Sequence, residues 1–402
     1  MFRHLGAASI LLAVACASPV LAEGQSGGAD CGGLNDPETF VVAVPDGAIT
    51  DCTRIIQGAG PPRERAIASI NRAIAHVERA NFGKSDNEAA DRDAAAADFD
   101  AAVRLDPNFA FAYYARGAGS FVNLRGGRVA DFDEAIRLDP TFALAYLGRA
   151  KAWYAKGDYQ RAEADFSAAI RLDPTLGRAY LGRGAERRLT GDDDGAIADL
   201  SEALRLTADD RNTYVRAAEA RGAIFFVRGE PDRAVADFND ALRLDPKDAY
   251  ALQQRGVVQL MRGSLDLARA DLQQATDLAP GNAEAALWRE IADRRAQVKG
   301  RLAEAAETLN MRHWPASAIH AFLGEPTSPT MQEEAAADDF DSPIIRQLQT
   351  CQASVFTGEL ALLKGAKAEA AEAFTSADKS CLKGAPERGV AAAELKSLGA
   401  KP

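Results

Sequence analysis

One phrase returns six times along this chain: Ala-Asp-Phe or Ala-Asp-Leu, running a few residues later into Leu-Asp-Pro or a close variant. It ends at Leu105-Asp106-Pro107, Leu138-Asp139-Pro140, Leu172-Asp173-Pro174, Leu206-Thr207-Ala208, Leu244-Asp245-Pro246 and Leu278-Ala279-Pro280. The steps from leucine to leucine are 33, 34, 34, 38 and 34 residues. A period held near 34 specifies stacked helix-turn-helix units, each burying its apolar face only against its neighbours. The expected class is therefore all-α, a right-handed solenoid.

The unit from Ala143 to Pro174 shows why. Tyr146, Ala150 and Trp153 recur at helical spacing and share one face of a first helix. Gly157-Asp158 ends that helix, because glycine accepts the backbone angles of a tight turn. A second helix sets Ala162, Phe166 and Ala169 on one face, and Pro174 stops it. Ala150 and Ala162 are small enough for the two backbones to approach closely. In this combination of aromatic, small-residue, turn-glycine and proline positions the unit resembles the tetratricopeptide repeat family, departing from it where Arg149-Ala150 replaces Leu-Gly. Other units carry Arg116-Gly117, Arg183-Gly184, Arg221-Gly222 and Arg255-Gly256 there, turn glycines Gly191, Gly229 and Gly263, and small residues Ala196, Ala234 and Ala268.

Local edits predict local departures. The unit from Ala110 is one residue short near Gly126-Gly127, so its turn should differ. Four extra residues near Asp209–Asn212 should bulge between units. Ala66 to Leu105 reads as a further unit with a long loop from Phe82 to Glu88, preceded by a lone second helix over 48–57. Two charged columns run through the array: Arg116, Arg149, Arg183, Arg221 and Arg255, with Asp131, Asp165, Asp199, Asp237 and Asp271. Their alternating signs point to mutual pairing that sets register, rather than to a charged ligand track.

The amino terminus reads as an export signal. Arg3 and His4 precede an apolar run from Leu5 to Ala15, then Pro19 and Val20-Leu21-Ala22, a small-x-Ala cleavage site. Cleavage after Ala22 places the chain in the periplasm or outside the cell; lipidation of Cys16, in an imperfect lipid box, is the alternative. Four other cysteines, Cys31, Cys52, Cys351 and Cys381, suit two disulfides in an oxidising compartment. Gly358, Gly365, Ala370, Phe374 and Ala377 fit one more repeat, which sets Cys351 beside Cys381 at the open end of a hairpin. Cys31 with Cys52 follows by elimination and pins the glycine-rich leader. Neither pair has CxxC spacing or a neighbouring histidine, so no metal site is expected. With 47% hydrophobic and 7% aromatic residues, the chain can bury a long, thin core. A formal charge of −11 argues against nucleic acid and against adhesion to anionic lipid.

The expected organisation is a signal over 1–22, a disulfide-pinned leader and lone helix over 23–64 and a repeat array over 65–300. An irregular linker with short helices over 301–342 and a repeat-like hairpin with a capping helix over 343–402 follow. Within it, 282–309 reads as one long helix, and 325–343 as a proline-rich acidic link. Trp314-Pro315, Phe322-Leu323-Gly324, Phe356 with Gly358-Glu359, Leu363 with Gly365 and the closing Glu394–Gly399 stretch resemble the tail of bacterial envelope tetratricopeptide lipoproteins. That group includes an outer-membrane adaptor of peptidoglycan hydrolases, and the resemblance implies protein partners in the cell envelope.

Chemistry finds little support. Only His76, His313 and His320 lie beyond the signal, and neither Gly58-Ala59-Gly60 nor Gly117-Ala118-Gly119 extends to a phosphate loop. No cofactor or enzymatic activity is expected. The family resemblance implies instead a concave face lined by first helices. Its candidate residues are Phe111, Tyr114, Phe121, Leu144, Leu147, Lys151, Tyr154, Arg178, Leu181, Arg188, Phe226 and Tyr250. This apolar, aromatic track with a basic middle suits a peptide carrying an acidic group. The reading is a scaffold that binds proteins or peptides in its groove; the alternative is a structural component that self-associates into an envelope assembly.

Overall fold

The structure, a computed structural model, describes residues 31, 45–81, 87–122, 129–337 and 343–400, with the backbone alone at 120–122 and 343. The signal, Cys16, most of the leader and the Gly126-Gly127 turn lie outside the described residues. Among those residues, all regular structure is helical. The chain divides into two compact units between Glu186 and Arg187, inside the array that the sequence reads as continuous.

The first unit contains α1 (Pro45–Gln57), α2 (Pro62–Asn81), α3 (Glu88–Leu105), α4 (Ala110–Val122), α5 (Val129–Leu138), α6 (Ala143–Ala155), α7 (Tyr159–Leu172) and the start of α8 (Gly177–Thr190). α2 packs on α3, α4 on α5, and α6 on α7. The turn between α6 and α7 shows how local chemistry makes a hairpin. Gly157 takes φ +77° and donates its N–H to the Tyr154 carbonyl at 2.9 Å. Asp158 then accepts from the Arg161 N–H at 3.1 Å and caps α7. After the second helices, the Asp of Leu-Asp-Pro turns the chain: Asp139 and Asp173 each accept the N–H two residues on, at 2.9 Å.

Packing rests on a contrast the repeat pattern only half reveals. Phe132 occupies space that a Cβ on Gly117 or Gly148 would enter, at 2.9 and 2.4 Å, and Phe166 lies 2.3 Å from a Cβ built on Gly182. Ala150 and Ala162 are fully buried as expected, but glycines on the first helices make the room for the phenylalanines.

Four of the five arginines in the column, Arg116, Arg149, Arg221 and Arg255, meet the aspartate of their own hairpin as expected. Arg149 donates Nε and Nη2 to both oxygens of Asp165 at 2.8 Å, while its Nη1 reaches Asp133 in the preceding hairpin at 2.7 Å. Arg116 does the same with Asp131 and Asp100. In the second unit, Arg221 takes Asp237 and Ser201, and Arg255 takes Asp271 and Asn239. Each of these arginines closes its own hairpin and ties it to the one before. Asp199 is held by Arg187 at 3.0 Å.

The second unit continues from the end of α8 through α9 (Asp193–Leu206), α10 (Arg211–Val227), α11 (Pro231–Leu244), α12 (Ala249–Met261), α13 (Leu265–Leu278) and α14 (Ala283–Arg295). There follow α15 (Leu302–Ala306), α16 (Ala316–Leu323), α17 (Met331–Ala337), α18 (Pro343–Leu363), α19 (Lys367–Ser380) and α20 (Pro386–Ser397). Two expectations need correction here. The four extra residues do not bulge: α10 has 17 residues where α12 has 13, so the insertion becomes one more helical turn, capped by Asp210 on the Thr213 N–H. The long helix over 282–309 breaks after Arg295, where Gln297 takes φ +57°. Glu290 then caps the Leu302 N–H at 3.1 Å and fills the place of a Gly300 side chain. The acidic link contains α17, a short helix of the linker that buries Met331 and Ala335.

Both cysteine pairs are bonded as expected, with Cα separations of 5.1 Å for Cys31–Cys52 and 4.9 Å for Cys351–Cys381. The second joins Cys351, which lies more than two turns into α18 and not at its start, to Cys381, the residue that follows α19. Replacing Cys351 and Cys381 by serine releases a 30-residue loop and is expected to destabilise the second unit by about 3 kcal/mol. Urea unfolding monitored at 222 nm checks this; an unchanged midpoint would show that the hairpin closes without its bond.

Candidate functional site: the face of the first helices

In the first unit the predicted track separates into two classes. Phe111, Tyr114, Leu147 and Tyr154 are buried. Phe111 packs its ring on Tyr114 and on Phe142, which arrives from the loop before α6, and Tyr154 meets Tyr159 edge-on at 5.5 Å. These side chains are core, not lining: Phe111 and Tyr114 point into the seam with the next hairpin through Phe142, and Tyr154 packs within its own hairpin. Leu144, Lys151, Arg178 and Leu181 are half-buried on α6 and α8. They are the part of the track that remains at the surface of the first unit. Phe121 falls among residues whose side chains are not described.

In the second unit a different agent covers the track. Arg188 and Phe226 are buried and Tyr250 is half-buried. α20 lies against α10 and α12, both first helices, as well as against α18 and α19. Gly389 sits so near Phe226 that a Cβ there would come within 2.9 Å of the ring. Arg188 Nη1 donates to the Gly384 carbonyl at 2.9 Å. The helix that the sequence reading makes a cap thus lies on this face.

Beneath α20 lies a network of buried polar groups that the sequence does not announce. Gln352 Nε2 donates to Glu284 at 3.2 Å and to Glu387 at 2.9 Å, while its Oε1 accepts from Trp314 Nε1 at 3.0 Å. Gln253 donates to Glu284 at 2.8 Å. Burial, then the neighbouring Glu387 charge, pushes the Glu284 carboxyl up to about 8. Burial likewise raises Glu387, whose Oε2 has no hydrogen-bond partner among the described residues. Arg295 bridges Glu359 and Glu394, the latter at 2.9 Å, yet burial still raises Glu359 to about 7. Glu284 and Glu387 each stand in the first turn of a helix, where a carboxylate normally favours the dipole and faces water. No local signal distinguishes them from such residues.

Among the described residues no cluster of histidine, cysteine and carboxylates is arranged to hold a metal ion. His76 is engaged with Asp91 at 2.8 Å.

Two segments, 129–177 and 219–283, match the tetratricopeptide repeat. The chain carries tetratricopeptide repeats. The matches cover hairpins of both units and end at residue 283, so the α14–α20 tail stands largely outside them. A comparison with curated proteins finds no match. Among solved structures, the chain is similar to YrrB, described as a tetratricopeptide repeat protein with an unusual peptide-binding site. The identity is 22%, over 45% of this chain and 93% of that one, with a TM-score of 0.38. It is similar to TTC0263 of Thermus thermophilus, a thermophilic tetratricopeptide repeat protein, at 21% identity, over 47% of this chain and 99% of that one, with a TM-score of 0.38. It is also similar to Pseudomonas aeruginosa pilF at 14% identity, over 60% and 92%, with a TM-score of 0.39. At such scores these likenesses carry no argument about what the tetratricopeptide array binds.

Proposed function

We propose that this tetratricopeptide protein is a non-enzymatic scaffold, exported to the bacterial envelope, that binds protein partners or peptides on the first-helix face of its first unit. The observation that carries the reading is the half-buried apolar pair Leu144 and Leu181 on α6 and α8, which offers contact area for the side chains of a peptide. Export is supported by the apolar amino-terminal run and by the two disulfides, which persist in oxidising compartments. No described helix is long and apolar enough to cross a membrane.

The test is capture from bacterial envelope extract, comparing the wild-type chain with a Leu144→Asp, Leu181→Asp double variant checked for helicity by circular dichroism. Half-buried positions are chosen because aspartate at buried Tyr154 would disturb the core. Partners identified with the wild type are then purified and titrated. The expected result is at least about tenfold weaker binding by the variant, as for loss of an apolar anchor. Equal affinity would remove the first-unit face from consideration.

A further inference from the structure

A cleft of about 450 Å³ opens in the second unit beside the turn ends of its hairpins. Arg388 and Ala392, one helical turn apart on α20, form one wall together with Asp378 of α19. Asp193 of α9 and Val227, the last residue of α10, form the other. None of the predicted track residues lines this space, so it is separate from the first-helix face. Two opposite charges face each other across it without pairing. Asp193 has no hydrogen-bond partner among the described residues, and α9 does not need it as a cap, because Asp192 accepts the Gly195 N–H at 3.0 Å. The neighbouring guanidiniums are engaged elsewhere, Arg228 with Asp194 and Glu230 and Arg188 with the Gly384 carbonyl. Arg388 uses only its Nε, on Asp378 at 3.0 Å. That bond orients the guanidinium and leaves both Nη groups without a partner among the described residues. Burial raises the Asp193 carboxyl above its ordinary value, although Arg228 and Arg388 act the other way. It is a carboxylate partly stripped of water and given no donor in exchange.

We propose that this cleft binds a small zwitterion, of the size of an amino acid or dipeptide with small side chains. Asp193 receives the ligand's ammonium, and the two Nη groups of Arg388 receive its carboxylate in the parallel geometry that a guanidinium favours. Val227 and Ala392 supply the apolar patch between the charges and keep the ligand's side chain small. A few convergent polar groups over an apolar surface are the ordinary make of a small-molecule site. The site goes beyond the first-unit face and stands or falls without it.

The probes are alanine and the dipeptide alanylalanine, each titrated by calorimetry into the full, disulfide-bonded chain at neutral pH and low salt. The expected result is saturable binding of at least one of them, with a Kd on the order of millimolar or below. Its amidated form lacks the carboxylate and its N-acetylated form lacks the ammonium, and each should bind at least about tenfold more weakly. Asp193→Asn keeps the shape of the wall and removes its charge, and should weaken the zwitterion at least about tenfold. Ala392→Leu fills the space and should abolish binding; if that variant fails to fold, Asp193→Asn decides. The proposal is overturned if neither probe binds the wild-type chain, if a blocked form binds as tightly as the zwitterion, or if Asp193→Asn binds as wild type does.

Discussion

Replacing Arg149 by alanine is expected to destabilise the first unit by about 3 kcal/mol, the low end of the range for leaving a buried charge without its partner. The Asp165 side chain is 10% exposed and that of Arg149 22%. Arginine alone supplies two parallel donors to one carboxylate and a third to Asp133 in the preceding hairpin. Its removal strands Asp165 and loosens two hairpins together. The melting temperature should fall by roughly 10 °C. Arg149→Lys should recover only part of this, since an ammonium cannot form the parallel pair. The combination Arg149→Met with Asp165→Leu should return stability close to wild type, because it removes both desolvation penalties. A wild-type melting temperature for Arg149→Ala alone would show that the ladder sets register without holding the hairpins together.

The second large effect concerns pH. Glu284 faces Gln253 of α12, Gln352 of α18 and Glu387 of α20, with Arg188 a further charge near Glu387. Its carboxyl is held neutral in the folded unit at pH values where the unfolded chain would ionise it. Between the ordinary value near 4.5 and the raised value of about 8, the folded state binds more protons than the unfolded one. Stability from this group is therefore fully present below pH 4.5 and lost as pH rises through about 8. Glu387 and Glu359 are shifted in the same direction. The second unit should lose melting temperature on the order of 10 °C from pH 5 to pH 8. Glu284→Gln keeps the shape and removes the ionisation, so it should flatten that profile and raise stability at pH 8. Calorimetry of both proteins across the range decides. A wild-type profile that rises with pH, or one that the substitution leaves unchanged, would show that the pair remains ionised.

Much of this molecule was legible because repeats make local chemistry redundant. Gly157 and Asp158 specify a turn wherever they occur together, and Leu-Asp-Pro specifies a stop. The Arg and Asp columns could be paired from spacing, since a hairpin brings such positions opposite one another. Cys351 and Cys381 followed from the same geometry. The groove was less legible. Spacing gives the angle of a side chain around its own helix, but not what covers it. Phe111, Tyr114, Leu147 and Tyr154 carry the residue types of a binding face and are buried instead, the first two because Phe142 of the next hairpin reaches them and Tyr154 because Tyr159 of its own hairpin does. Glu284, Glu387 and Glu359 look like ordinary helix carboxylates and lie buried, because segments tens of residues apart close over them. The sequence by itself determined the helices, their turns, the ladder and the cysteine pairs, all of which depend on neighbours within about one repeat. Only the tertiary structure decided that α20 returns to α10 and α12, because that contact depends on how helices distant in sequence fit in shape and polarity.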